Sequence, residues 1–110
     1  MKPVDRAGFR DWRTWATSTA AGRVLEIGAG TGLNFPHYRR RAEVVAIDPD
    51  VERQSESDPE GSGARQIHLT GARAEALPFP DASFDAAVGT LVFCTIADPR
   101  RALSEVRRVL

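Results

Sequence analysis

The chain has 110 residues, 42% of them hydrophobic, a size that suits one small domain with a thin core. Fifteen lysines and arginines balance fifteen aspartates and glutamates, which leaves no electrostatic case for nucleic acid or an anionic membrane as a standing partner. The single cysteine, Cys94, excludes an internal disulfide, and no apolar run approaches the roughly 20 residues of a membrane span. A soluble domain suited to a reducing cytoplasm, taking a small ligand, is the expectation.

Phe9, Trp12 and Ala16 recur at helical spacing before Gly22, so residues 1–22 read as a lead-in helix. Trp12 and Trp15 are expected to pack that helix in place, with a lid over the site as the alternative. Residues 23–110 form the core unit. Val24 to Ile27 is short, apolar and β-branched, a buried strand that ends in glycines. A helix is expected after Gly32, with Asn34 as its cap and Pro36 in its first turn.

Val44 to Ile47 makes a second buried strand, stopped by Asp48 and Pro49. Between Asp50 and Gly63 the only large apolar residue is Val51, so a short or frayed helix and a mobile loop are expected. Ile67 to Leu69 reads as a weak third strand and Phe84 to Val88 as a stronger fourth. Asp98 and Pro99 then start a helix with Ala102, Leu103, Val106 and Leu110 on one stripe. Strands alternating with helical segments predict an α/β fold with an open parallel sheet. No stop signal precedes Leu110, so the sequence reads as the front part of a longer domain.

In such sheets ligands sit at the carboxyl ends of the strands, where the loop after the first strand lies. The segment VLEIGAGTG places Gly28, Gly30 and Gly32 at alternate positions, which lets the backbone turn tightly and approach a ligand. Glycine spacing alone leaves a structural turn and a cofactor site equally open. Glu26 sharpens the choice, because a carboxylate in a strand buried on both faces needs a cationic or hydrogen-bonding partner. That partner is either a nearby arginine or a bound cation. S-adenosylmethionine (SAM) carries a sulfonium and an ammonium, whereas NAD would bring negative phosphates to the same carboxylate, so Coulomb's law favours SAM. Asp48, at the end of the second strand, can accept the hydroxyls of a ribose, or simply form a turn before Pro49. The glycines run G-x-G-x-G, out of register with the G-x-G-x-x-G of dinucleotide folds.

These residues resemble the class I SAM-dependent methyltransferases, in particular the subgroup that includes the ubiquinone and menaquinone C-methyltransferases. VLEIGAGTG, VVAIDPD and AEALPFPDASFD carry the resemblance, which runs from about Gly22 to Leu110. GTGLNFPHY and the final GTLVFCTIADPRRALSEVRRVL are also similar to the alkyl-thiol S-methyltransferases. The resemblance implies a Rossmann-like sheet in strand order 3-2-1-4, the first half of a seven-stranded fold without strands 5 to 7, leaving the fourth strand as an apolar edge. It also implies that Glu26, Gly28, Ala29, Gly30 and Gly32 surround the methionine and ribose side of SAM. By the same resemblance Asp48 holds the ribose, Pro49 borders the adenine, the Ala74-Glu75 step meets the adenine edge, and Thr90 faces the methionine moiety. Arg73 departs from the family, standing where many members have an aspartate for the adenine amino group.

The implied activity is methyl transfer to a small molecule, a thiol or a quinone-like carbon, with no residue assigned to the chemical step. A non-catalytic SAM-binding fragment and, more distantly, a NAD-dependent oxidoreductase are the alternatives. His37 and His68 have no second histidine at ligand spacing, so no metal is expected, although His37 or Tyr38 is placed to touch substrate. Cys94 and Asp85 read as packing and structural residues.

Overall fold

The computed structural model describes residues 10–89 and 96–110, with side chains described from residue 14. Its short β-branched runs form β1 (Gly22–Ile27), β2 (Ala42–Asp48), β3 (Gln66–Gly71) and β4 (Ala86–Val88), joined in one sheet. The order is β3-β2-β1-β4, the anticipated 3-2-1-4, and each pairing is parallel. Val24 lies between Val44 and Ala86 in register, and Val44 meets Ile67. The helices are α1 (Arg10–Ser18), α2 (Val51–Ser55) and α3 (Pro99–Val109), with 3₁₀ turns at Phe35–His37 and Pro59–Gly61.

Alternation along each strand sorts the core into two layers. Val24, Val44, Ala46 and Val88 point to one face, where they meet Ala20, Phe35 and Tyr38. Leu25, Ile27, Val45 and Ile47 point to the other and pack against Leu77, Phe84, Ala102 and Val109. Every residue of β1 from Val24 on is buried, so the central strand has no solvent face. The charged residue of that buried stretch, Glu26, lies on the first face, the side of Val24.

Several local expectations change. The helix after Gly32 is a single 3₁₀ turn: only nine residues separate Gly32 from β2, too few to repay nucleation of an α-helix. Phe35 and Tyr38, three apart, bury the apolar surface that this turn has to bury. Asn34 takes the position before the turn, but its side chain makes no capping bond.

α2 is the short helix expected in this polar stretch, with Val51 58% exposed. Buried Gln54 anchors it instead, donating to the carbonyls of Ala46 (3.0 Å) and Thr70 (3.3 Å) on adjacent strands. β3 runs longer than its apolar residues suggest, because backbone pairing with β2 extends it from Gln66 to Gly71. Trp15 is 66% exposed and does not pack α1 onto the core; Ala16 and Ala20 do that. The Trp12 side chain lies outside the described residues, as do Phe9 and Cys94. β4 is short, and among the described residues it pairs with β1 only.

α3 starts as its sequence indicates. Asp98 precedes the helix and its Oδ1 accepts from the Arg101 N–H at 3.2 Å, satisfying one of the first-turn donors.

Candidate cofactor-binding site

β1 delivers its carboxyl end into a loop in which Gly28, Gly30 and Gly32 have φ of 68°, 55° and 83°. Three left-handed residues at alternate positions are why this loop needs glycine. An added Cβ at Gly30 would lie 3.1 Å from the Arg53 guanidinium, and one at Gly32 would lie 2.7 Å from the Phe35 ring.

Four of the loop's amides are engaged inside the protein. Gly28 and Ala29 donate to Ile47 O at 3.0 and 3.1 Å, and Gly32 donates to Ala29 O at 2.9 Å. Gly30 N–H donates to Asp48 Oδ2 at 2.8 Å, while Asp50 N–H donates to Oδ1 at 2.8 Å. The local turn at Asp48 is therefore formed, and the same carboxylate also ties the glycine loop to the end of β2. A dinucleotide pyrophosphate needs free amides at a helix N-terminus. Here these four amides donate internally, and a 3₁₀ turn follows.

A cleft of about 410 Å³ opens beside the loop, at the carboxyl ends of the strands. Of the residues expected there, Glu26, Gly28, Ala29, Asp48, Pro49, Ala74 and Glu75 line it. Gly30 and Gly32 are buried behind it and shape the loop. Thr90 lies outside the described residues. The cleft also takes Asn34 and Arg53, which pattern reading missed because a polar residue before a turn and an arginine on a polar helix look like surface.

Glu26 is 1% exposed, and its Oε1 accepts from the Tyr38 hydroxyl at 2.6 Å. Tyr38 is equally buried, so the phenol is part of the core and does not reach a substrate. Burial, and then the charge and hydrogen bond of Glu26, push its pKa far above the ordinary tyrosine range, so it stays a donor. On the opposite wall Glu75 is held below the ordinary glutamate range, first by its own backbone N–H and then by the Asp98 N–H and Arg73. Arg73 thus pairs with Glu75 at 3.6 Å in the cleft wall. The carboxylates of Glu26, Asp48 and Glu75 and the guanidinium groups of Arg53 and Arg73 line one cleft.

The other candidates fall elsewhere. His37 Nδ1 is 3.2 Å from Thr14 Oγ1, and His68 Nε2 is 3.3 Å from Glu43. No group of three or more metal-ligating side chains occurs among the described residues. Asp85 accepts from the Arg23 N–H at 2.8 Å, at the end of the sheet away from the cleft, which gives it a structural role.

The methyltransferase domain family matches residues 25–110. Phosphatidylethanolamine N-methyltransferase of Cereibacter sphaeroides is 37% identical over 91 residues, covering 80% of this chain and 45% of the relative. Thiol S-methyltransferase TMT1B of Homo sapiens is 39% identical over 99 residues, covering 83% of this chain and 40% of the relative. The crystal structure of the YcgJ protein of Bacillus subtilis superposes with a TM-score of 0.78 at 30% identity, covering 96% of this chain and 46% of that one. The chain spans less than half the length of these relatives. With its 3-2-1-4 sheet and its glycine loop beside a carboxylate-lined cleft, the chain belongs to the methyltransferase domain family, whose cofactor is S-adenosylmethionine.

Proposed function

We propose that the cleft binds SAM and that the protein containing this chain transfers its methyl group to a small molecule. The observation that carries the reading is Glu26, a buried carboxylate opening on a cleft beside a glycine loop whose amides are engaged internally. A carboxylate there attracts an ammonium, whereas a phosphate would be repelled. Bound there, SAM supplies a methyl group already activated by its sulfonium.

The chain's own residues bind and orient. Glu26 attracts the methionyl ammonium, and Gly28 and Ala29 offer a surface without bulky side chains along the methionyl chain. Asp48, already fixed by two N–H donors, retains acceptor capacity for ribose hydroxyls, since a carboxylate has about four acceptor positions. Pro49 and the Ala74-Glu75 backbone border the adenine. No acid or base in the cleft is required, because alignment of a reactive methyl group does most of the work.

The thiol methyltransferase relative supports a thiol acceptor. Because the chain spans less than half of its relatives, cofactor binding and methyl transfer are separate questions. Calorimetry with SAM and with S-adenosylhomocysteine should give saturable heats, with none for NADH. No heat at millimolar SAM from a folded sample would overturn the reading. Binding without transfer to an alkyl thiol would favour a chain that only holds the cofactor.

A further inference from the structure

The Tyr38–Glu26 pair is a costly thing to build into a core. Both side chains are 1% exposed, on the sheet face lined by Val24, Phe35, Ala29 and Val44, where an apolar pair would pack without any polar group to satisfy. The phenol nevertheless meets the carboxylate at 2.6 Å, the short distance of a hydrogen bond to an ionised acceptor. The backbone leaves Tyr38 no room to withdraw. Its N–H donates to Phe35 O at 3.4 Å, the Gly63 N–H donates to the same carbonyl at 3.2 Å, and a Cβ at Gly63 would strike the Tyr38 carbonyl oxygen. A glycine is thus required 25 positions along the chain for this tyrosine to stand where it does.

We propose that Tyr38 is a positioning residue for the cofactor's amino-acid end, holding the Glu26 carboxylate in the one orientation that presents it to an ammonium in the cleft. The proposal rests on the SAM reading above and adds to it a residue that touches no cofactor. A phenol suits the task because it donates a hydrogen bond without adding positive charge, so it orients Glu26 and leaves its attraction for a cation intact. Its burial beside Glu26 raises its pKa, which keeps it a donor. Without the phenol the carboxylate loses this hydrogen bond and part of its ordering, and binding must then supply it.

The test compares two neutral-sulfur ligands that differ by the amino-acid end: S-adenosylhomocysteine, which carries the ammonium, and 5′-methylthioadenosine, which lacks it. In Tyr38→Phe, S-adenosylhomocysteine should bind about tenfold more weakly, the scale of one hydrogen bond to a charged group, while methylthioadenosine affinity stays within about twofold. Glu26→Gln, which keeps shape and acceptor oxygen, should show the same ligand-selective loss. On the Glu26→Gln background, Tyr38→Phe should cost no further S-adenosylhomocysteine affinity. Equal losses for both ligands, additive losses in the double variant, or unchanged S-adenosylhomocysteine binding would each overturn the proposal and leave SAM binding standing. Wild-type chain that melts cooperatively yet binds neither ligand would overturn the SAM reading itself.

Discussion

Gly30 and Gly22 are glycines for different reasons, and each makes a separate prediction. At Gly30 a side chain needs φ of 55° and meets the Arg53 guanidinium 3.1 Å from its Cβ, on the wall of the cleft. Gly30→Val should abolish SAM binding while the protein still melts cooperatively; unchanged affinity by calorimetry would contradict the loop assignment. Gly22, with φ of 77°, lies at the other end of the sheet, where its Cβ would enter the Asp85 carboxylate that holds the Arg23 N–H. Gly22→Ala should cost about 1–3 kcal/mol in urea unfolding, the scale of a strained left-handed residue, with SAM affinity unaffected once the chain is folded.

Elements follow their local signals where the signal is a complete physical unit. α3 begins at Pro99 because Asp98 caps it, and Asp98→Ala should lower stability by about 1 kcal/mol in the same denaturation experiment. The strands of the sheet centre were legible because Val24 to Ile27 and Val44 to Ile47 are buried on both faces and so are apolar except for Glu26. β3 was only half legible, since its outward residues Gln66 and His68 are there through pairing with Glu43 and Val45 and carry no apolar signal. The missing helix after Gly32 has the same lesson: propensity permits it, but the distance to β2 and the burial of Phe35 and Tyr38 leave room for one 3₁₀ turn.

At the scale of the whole molecule, Arg108 ties the last helix to the segment that follows the cleft-lining residues 72–75. Its guanidinium donates to Leu77 O, Phe79 O, Asp81 and Glu105 at 2.8 to 3.2 Å. Glu105 in turn accepts from the Leu77 N–H at 2.9 Å. Arg108's side chain, followed by that N–H, holds Glu105 below the ordinary glutamate range, and Glu75 is held low as well. A carboxylate with a lowered folded pKa adds stability above its unfolded pKa and loses it as pH falls through the folded one. Thermal melts should therefore show stability declining on the acid side of the ordinary glutamate range. Arg108→Met should lower the melting temperature at neutral pH and make that acid decline shallower; a parallel curve would show that the clamp does not carry it.

The sequence by itself determined the sheet centre, the helix start at Asp98, the glycine loop and the two carboxylates beside it, because each is written in a contiguous run of residues. It also excluded a dinucleotide register by spacing alone. Only the tertiary structure decided how those carboxylates are held. Tyr38 reaches Glu26 across 12 positions, and Gly30 reaches Asp48 across 18, distances along the chain over which no local pattern operates. Arg53 enters the cleft for the same reason, since α2 folds back over the glycine loop through Gln54 and the strand carbonyls it caps. Local runs specify which chemical groups the chain owns, and long-range hydrogen bonds and burial specify where those groups point.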